Sequence, residues 1–532
     1  MQQGFSPTAG EGGRRPFWER RDFVLALVLL SCLPLLWPDI PPMTDLPGHM
    51  GRYRVQLDLA TSPDLQQYFG FDWQVIGNLG VDVLVQLLAP LIGLEPAVKL
   101  IVIMIPALTV GGLFWVAYEV HGRIPPTALF AAPFAYNYPF LFGFANFALA
   151  MALALLSFGL WLRLGRLNHV RLRAAIFAPI SLMLWVVHAF GWGTLGVLCF
   201  SAELVRQHDH GRNIASAGFR AGLHCLSLVP PVALMLLWRS NAAGVTTDWF
   251  NWTRKLDWLV MVLRDRWQWF DVGALALVIL LLLWSIADWR RVTWSRNLAA
   301  SFLFLTLVFI LLPRIVFGSA YADMRLAPYL FAIAIVAIRF KERAGFGLKC
   351  TIAVAGLIFF LARTGGSTIS AWLYDQRYDQ ELAALDHVPH GARMVSFVGR
   401  PCVEPWAMSR LLHIPGLAIV RNHAFSNDQW TMAGAQLLRV RYRPGWPFIR
   451  DATQVVTGYR CPREVWRPIN MALEMVPRDA FDYIWLINPP PYDISLTLGL
   501  TPVWRSGTSV LYRVESNAKS ETPAGSGIRP IT

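Results

Sequence analysis

Charged residues are scarce in this sequence. Only 15% of its 532 residues are Asp, Glu, Lys or Arg, whereas soluble proteins carry roughly a quarter. The sequence also lacks a Walker A motif, a dinucleotide-binding glycine motif and the Cys and His spacings of zinc sites. These absences argue against a soluble enzyme, against nucleotide-driven work and against a dedicated zinc site.

Apolar and aromatic residues are correspondingly abundant. Hydrophobic residues make up 55% of the chain, with 23 Trp and 32 Phe, and the mean hydropathy is +0.42. The composition predicts a polytopic α-helical membrane protein. The net charge of +13 is then better explained by basic cytoplasmic loops than by nucleic acid, which is not expected as a partner.

The first apolar run, Phe23–Trp37, follows four arginines between residues 14 and 21. It resembles a signal peptide, but no small-residue cleavage site follows, so we interpret it as an uncleaved first span with a cytoplasmic N-terminus. Later apolar runs bring the predicted number of spans to about eleven. Segment 80–94 is either re-entrant or one further span. The later runs lie at 96–119, 124–138, 141–162, 174–188, 190–205, 221–238, 271–287, 298–317, 325–340 and 348–365.

The distribution of Lys and Arg among the loops predicts the side of the membrane on which each loop lies. The outer loops 138–141, 188–190 and 318–324 contain no Lys or Arg, whereas the loops assigned to the cytoplasm are rich in arginine. The outer loop 239–270 is an exception, because it mixes five basic residues with five tryptophans. That mixture is typical of helices lying in the membrane interface.

The composition divides the chain into segments. Residues 1–22 form a cytoplasmic N-terminal segment, and 23–366 a transmembrane domain whose first outer loop is 38–80. Residues 367–516 form a soluble α/β domain, which an odd number of spans places outside the cell or in the periplasm, and 517–532 a disordered tail. Predicted strands are Arg393–Val398, Leu417–Val420, Phe481–Ile487 and Ser509–Val514, and predicted helices are Asp379–Asp386 and Gly434–Val440.

Two of the six cysteines, Cys402 and Cys461, lie in the soluble domain, and the other four lie in or near apolar spans. In an oxidising compartment such a pair favours a disulfide. Two free thiols are the alternative, because spacing alone does not establish proximity.

Candidate catalytic residues begin in the first outer loop. Asp45, His49, Arg52 and Tyr53 have the spacing that places side chains along one face of a helix. A carboxylate beside an imidazole and a guanidinium can accept a proton while the cations hold an anion. The alternative is structural: Asp45 or Thr44 caps an interfacial helix.

Further polar residues map to the same membrane face. They occupy tight outer links, or the ends of apolar runs at the level of lipid phosphates. The alternatives are structural: His188 can be a satisfied interfacial residue, and Arg325 can snorkel or pair locally with Asp323. Their convergence on one face predicts a site at the outer membrane–water boundary. These residues are Asn137, Tyr138, Asn146, His188, Tyr321, Asp323 and Arg325.

The layout resembles that of the C-type (GT-C) membrane glycosyltransferases, the superfamily of the protein O-mannosyltransferases and the lipid A aminoarabinose transferases. The resemblance covers nearly the whole chain in layout, and in sequence rests on Thr44–His49 (TDLPGH) and, more weakly, Asp323–Pro328 (DMRLAP). Many members carry two adjacent acids in the first loop, whereas Asp45 has no acidic neighbour.

The resemblance implies sugar transfer from a polyprenyl-phosphate carrier to an acceptor hydroxyl, with inversion, at the outer face of the cytoplasmic membrane. It makes Asp45 the general base, assisted by His49. The acceptor is a glycan, a lipid or a protein, and the use of a divalent metal stays open. Donor-phosphate binding falls to Arg325, Arg52 and His188, and substrate binding to Tyr53, Asn137, Tyr138, Asn146, Tyr321 and Asp323.

Two other functions are compatible with the sequence. A non-catalytic scaffold for envelope polysaccharide assembly is one, since Asp45 stands alone. A lipid or solute transporter is the other, although we find no internal repeat and few acids within apolar runs.

Overall fold

The computed structural model describes residues 15–237, 245–316, 318–431, 436–462 and 464–515. It is 61% helical, with a sheet region near the C-terminus. Most of the predicted N-terminal segment and the predicted disordered tail 517–532 lie outside the described residues.

The helices fall into a bundle and a smaller set near the C-terminus. The bundle and its connections contain α1 (Arg21–Leu30), α2 (Leu46–Asp58), α3 (Pro63–Tyr68), α4 (Gly80–Ile92), α5 (Leu94–His121), α6 (Tyr138–Phe142), α7 (Ala145–Arg166), α8 (Val170–Val187), α9 (Ala189–Asp209), α10 (Ile214–His224), α11 (Pro230–Leu237), α12 (Trp252–Val260), α13 (Gln268–Ala287), α14 (Arg296–Leu311), α15 (Ala322–Ala337) and α16 (Phe346–Leu382). The C-terminal region adds α17 (Gly416–Asn422) and α18 (Ile469–Met475).

Fewer helices than predicted are long and apolar enough to cross a membrane. Among the described residues there are five, or six if the bent pair around Pro230 is one span, so the prediction of about eleven is not met. The five are Leu94–His121, Ala145–Arg166, Val170–Val187, Gln268–Ala287 and Phe346–His387.

Proline and length explain the difference. The apolar run 124–138 forms two short 3-10 helices, Pro126–Phe130 and Ala132–Tyr136, because its prolines remove the amide donors that an α-helix needs. Helices α14 and α15 have 16 residues each, fewer than the roughly 20 that a straight span requires. The ambiguous segment 80–94 contains α4, a 13-residue helix packed against α5.

The bundle has two chemically different ends, which α15 connects. At 16 residues, α15 is about 24 Å long. Its first turn carries Asp323 and Arg325, and its last residue leads into β3 (Ile338–Phe340), which pairs with β2 (Val292–Trp294). The end at β2 and β3 is rich in arginine and lysine.

A six-stranded mixed sheet forms the centre of the C-terminal domain. Its strand order is β7-β6-β4-β8-β10-β9. The first four strands of that order run parallel, and β8, β10 and β9 pair antiparallel. The strands are β4 (Met394–Gly399), β6 (Val455–Thr457), β7 (Arg467–Pro468), β8 (Tyr483–Ile487), β9 (Leu500–Ser506) and β10 (Ser509–Val514).

The predicted first outer loop, 38–80, packs against this domain. Strand β1 (Phe69–Phe71) pairs antiparallel with β5 (Leu438–Val440), and α2 packs against α17. The approach is close: a Cβ added to Gly416 would lie 2.6 Å from the Pro47 carbonyl oxygen. A buried cluster joins Val55 and Leu65 of the loop with Phe425 of the domain. The loop that carries Asp45 is therefore held against the C-terminal domain.

Several predicted boundaries differ from the structure. Helix α16 runs through the predicted domain border at 366 and ends at Leu382, before β4. Leu417–Val420, predicted as a strand, lies within helix α17, since a short buried apolar run does not distinguish the two by its pattern. Of the predicted helix Gly434–Val440, the beginning lies outside the described residues and the end is β5.

Candidate active site

Asp45 occupies the N-cap position of α2, but its side chain does not cap the helix. No hydrogen bond joins its carboxylate to the first amides of α2, so the predicted alternative of a helix cap is wrong for this side chain. Its backbone amide instead donates to the Phe142 carbonyl oxygen at 3.0 Å. The side chain is largely buried, with 13% of its surface exposed.

His413 lies opposite Asp45 and is surrounded by three carboxylates. Its Nε2 is 3.9 Å from Asp45 Oδ1 and 4.0 Å from Asp451 Oδ1. Its Nδ1 is 3.6 Å from Asp428 Oδ2. A second acid, Asp451 of the C-terminal domain, therefore lies on the same imidazole nitrogen as Asp45.

Burial and charge set the protonation of this cluster. Burial raises the pKa of Asp45 to about 7, against the opposing effect of the His413 charge. Burial alone would lower the pKa of His413, but the neighbouring carboxylate of Asp428 and the charges of Asp451 and Asp45 raise it to about 9. At neutral pH the imidazole is therefore charged, and Asp45 is poised to bind or release a proton.

The acids around His413 are positioned by a shell of amides. Gln429 Nε2 donates to Asp428 Oδ1 at 3.0 Å and to the Gly48 carbonyl oxygen at 3.1 Å. Gln454 Nε2 donates to Asp451 Oδ1 at 2.7 Å. These bonds tie the acids of the C-terminal domain to the start of α2, which fixes their distance from Asp45.

His49, predicted as an assisting group, lies one turn along α2 from Asp45 and contacts an aromatic ring of the site. The ring of Trp430 lies between it and His413, at centroid distances of 5.0 and 4.4 Å. Burial, followed by the charges of Arg52 and His413, lowers the pKa of His49 well below its ordinary value. His49 is therefore neutral where His413 is charged.

Arg325 is buried in an aromatic pocket near Asp45, close enough for its charge to act on that carboxyl. Its guanidinium lies 4.3 Å from the ring centroid of Phe144, and the rings of Phe147 and Phe190 are next nearest. Asp323, its predicted alternative partner, pairs instead with Lys255 at 3.3 Å. In the part of the chain that the structure describes, no carboxylate forms an ion pair with Arg325, and a buried guanidinium of this kind is suited to bind an anion.

A cavity of about 630 Å³ opens between the bundle and the C-terminal domain. Tyr138 and Tyr321, both predicted substrate-binding residues, line it, together with four arginines. Its mixture of aromatic and cationic groups suits a phosphate attached to an apolar group. The four arginines are Arg254, Arg264, Arg314 and Arg400.

A second cavity, of about 350 Å³, lies beyond Arg400. It is lined by Thr44, next to Asp45, and by residues at the carboxyl ends of β4 and β8, including Gly399 and Asn488. Ligands of α/β sheets commonly bind at the carboxyl ends of parallel strands. Arg400 lines both cavities and forms an ion pair with Glu404.

Other predicted site residues form a buried polar network away from the cavities. Arg52 Nη1 lies 2.7 Å from Asp82 Oδ1, and both side chains are almost fully buried. Asn146 donates to the same Asp82, and Tyr53 lies beside the Arg52 guanidinium. This arrangement favours a structural role for Arg52, Tyr53 and Asn146, which hold α2 against α4 and α7.

Asn137 and His188 act as helix caps. Asn137 Oδ1 accepts from the Phe140 amide and Nδ2 donates to the Phe134 carbonyl oxygen. His188 Nδ1 accepts from the Phe190 amide at 3.1 Å. The Phe190 ring also contacts the Arg325 guanidinium, so His188 lies near Arg325, and it is not among the residues that line the 630 Å³ cavity.

Cys402 and Cys461 form a disulfide, with their Cα atoms 5.5 Å apart. Both line the cavity of about 630 Å³ between the bundle and the C-terminal domain. The segment between them in sequence contains His413, Asp428 and Asp451. A disulfide around the site is therefore the sequence feature that could have drawn attention to these three residues.

We expect four reactive thiols in unfolded, unreduced protein and six after reduction, because four cysteines are free. Labelling with a thiol reagent, counted by mass spectrometry, measures this directly. The bond spans 59 residues, and a loop of that length stabilises the folded state by about 4 kcal/mol in the chain-entropy estimate. Six thiols before reduction would contradict the disulfide.

Comparison with known proteins supplies no relative for this site. No family model matches the chain, and no curated protein does. Among the described residues, no group of three or more His, Cys, Asp or Glu has the arrangement of a metal site.

Proposed function

We propose that the chain is a membrane glycosyltransferase, which moves a sugar from a polyprenyl-phosphate donor to an acceptor hydroxyl on a glycan, lipid or protein. The proposal rests on the Asp45 carboxylate, which makes no capping bond to α2. It lies, 13% exposed, beside the charged His413 and near the buried Arg325. Inverting sugar transfer from a phosphate carrier needs a base that accepts the acceptor proton and a cation that stabilises the leaving phosphate.

The proposed step is a single displacement. The acceptor oxygen attacks the anomeric carbon, and Asp45 takes the hydroxyl proton. The bond between the anomeric carbon and the phosphate oxygen breaks, and its electron pair leaves with polyprenyl phosphate. Charge grows on the leaving phosphate, where Arg325 stabilises it, while His413 favours the ionised form of Asp45 before the step.

The two cavities accommodate the two substrates in this proposal. The donor occupies the larger cavity, whose arginines match its charge. Its phosphate lies at the end of this cavity nearest Arg325, since Phe142 of the cavity wall contacts Phe144, the ring nearest to the Arg325 guanidinium. The acceptor enters the smaller cavity beside Thr44 and places its hydroxyl at Asp45. Arg400, which lines both, lies between the two substrates.

We place the site on the outer face of the cytoplasmic membrane, with a multi-pass bundle, a cytoplasmic N-terminus and a periplasmic or extracellular C-terminal domain. Two features support this orientation. Basic residues concentrate at the end of the bundle remote from Asp45. The disulfide lies beside the site, and disulfides persist in oxidising compartments.

The experiment that tests this function measures release of polyprenyl phosphate. Purified protein is incubated with a panel of polyprenyl-phosphate sugars, with and without membrane extract as a source of acceptors. The proposal predicts release that depends on both extract and protein for at least one sugar. Absence of release across the panel, with folded protein, would favour a non-catalytic scaffold or a transporter.

The pH dependence of transfer follows from the two pKa values. The step needs Asp45 ionised and His413 protonated, so kcat/KM should rise with pH through about 7 and fall through about 9. In His413→Gln the acidic limb should move to higher pH, because the charge that lowers the pKa of Asp45 is removed. An unmoved acidic limb in this variant would show that His413 does not act on the base.

A further inference from the structure

A further cavity lies at the end of the bundle opposite Asp45. It has a volume of about 840 Å³ and lies around the β2–β3 ribbon. The beginning of α14 and the residues after β3 complete its wall. Because α15 separates it from the candidate active site by about 24 Å, this cavity belongs to neither proposed substrate.

Positive charge dominates the wall of this cavity. Five basic residues line it, against only two acidic ones, Asp209 and Glu342. Asp209 is engaged by Arg296. Within the described chain, no carboxylate forms an ion pair with the other four. These four cations are Arg290, Arg339, Lys341 and Arg343.

An exposed apolar surface leads into the same cavity. Trp289, in its wall, is 66% exposed and lies beside Lys341, whose Nζ donates to the Trp289 carbonyl oxygen at 2.6 Å. The preceding helix, α13, exposes Leu280, Leu283 and Ile286 by more than half of their surface. An exposed Trp between an apolar helix face and a cation cluster is typical of the membrane interface.

We propose that this cavity, the basic cavity, binds the phosphate group of an anionic phospholipid in the cytoplasmic leaflet. The cations contact the phosphate, Trp289 lies at the level of the glycerol, and the acyl chains follow the exposed face of α13. Basic pockets between helices on this side of a membrane are suited to such headgroups. A free phosphate would use the same cations but would leave the apolar face of α13 uncovered.

Native mass spectrometry of the full-length protein in neutral detergent tests the proposal. The probes are phosphatidylglycerol, phosphatidylcholine and inorganic phosphate. The test variant is Arg339→Gln with Lys341→Gln, and its charge-preserving counterpart is Arg339→Lys with Lys341→Arg. The matched control, Arg163→Gln with Arg171→Gln, removes two exposed cations from the same end of the bundle, outside the basic cavity.

We expect wild type to retain phosphatidylglycerol in preference to phosphatidylcholine. The test variant should bind it about tenfold or more weakly, because each cation near an anionic headgroup contributes appreciably. The control and the charge-preserving variant should bind as wild type does. Equal retention by the test variant and wild type would overturn the proposal, and so would inorganic phosphate that displaces phosphatidylglycerol at an equal concentration.

Discussion

Replacement of Asp45 by Asn should lower the rate of sugar transfer by about 10²- to 10⁴-fold, the range that a general base contributes. Asn is close to Asp in shape but cannot accept the acceptor proton. The fold should be preserved, because the carboxylate makes no capping bond to α2 that Asn would break. Polyprenyl-phosphate release by purified wild type and variant, with melting temperatures of both, measures the effect.

Asp64→Asn is the matched control for this experiment. Asp64 lies in the same outer loop, but its side chain is 39% exposed and pairs with His390. The control should transfer sugar at nearly the wild-type rate. If Asp45→Asn kept full activity, Asp45 would not be the base, and Asp451, which contacts the same His413, would be the next residue to test.

Arg52→Met should destabilise the protein by about 3–5 kcal/mol, the cost of leaving one member of a buried ion pair uncompensated. Arg52 and Asp82 are 2% and 0% exposed, so water cannot replace the lost partner. Denaturation in detergent, followed by circular dichroism, measures the loss. Adding Asp82→Leu should restore part of it, because the double variant leaves no unpaired charge.

Arg54→Met serves as the control, because Arg54 pairs with Asp58 on the same helix but both are partly exposed. Exposed pairs contribute at most about 1 kcal/mol, so its effect should be small. Wild-type stability in Arg52→Met, together with a raised KM for the polyprenyl donor, would contradict the structural role. It would instead support the prediction from sequence that Arg52 binds the donor phosphate.

The sequence predicts the site only where its residues are close in the chain. The start of α2 carries a recognisable signal in Thr44–His49, since Pro47 in the first turn favours helix initiation. Asp45 could therefore be selected. His413 could not, because no local pattern distinguishes it, and only the packing of α17 on α2 brings it to Asp45.

The fold was predictable to a similar extent. Strand Ser509–Val514 was predicted with its observed boundaries, because it has residues of high strand propensity beside a turn. The number of spans was not, because hydropathy records apolar runs but not their backbone conformation. The run 124–138 is apolar, yet its prolines make it two 3-10 helices.

The anomeric configuration of the product tests the central claim, that Asp45 acts as a base in one displacement, most directly. Nuclear magnetic resonance of the glycosylated acceptor, compared with a donor of known configuration, gives the answer. We expect inversion, because the acceptor attacks the face opposite the leaving phosphate. Retention would contradict this step, because a single displacement from the opposite face inverts the anomeric carbon.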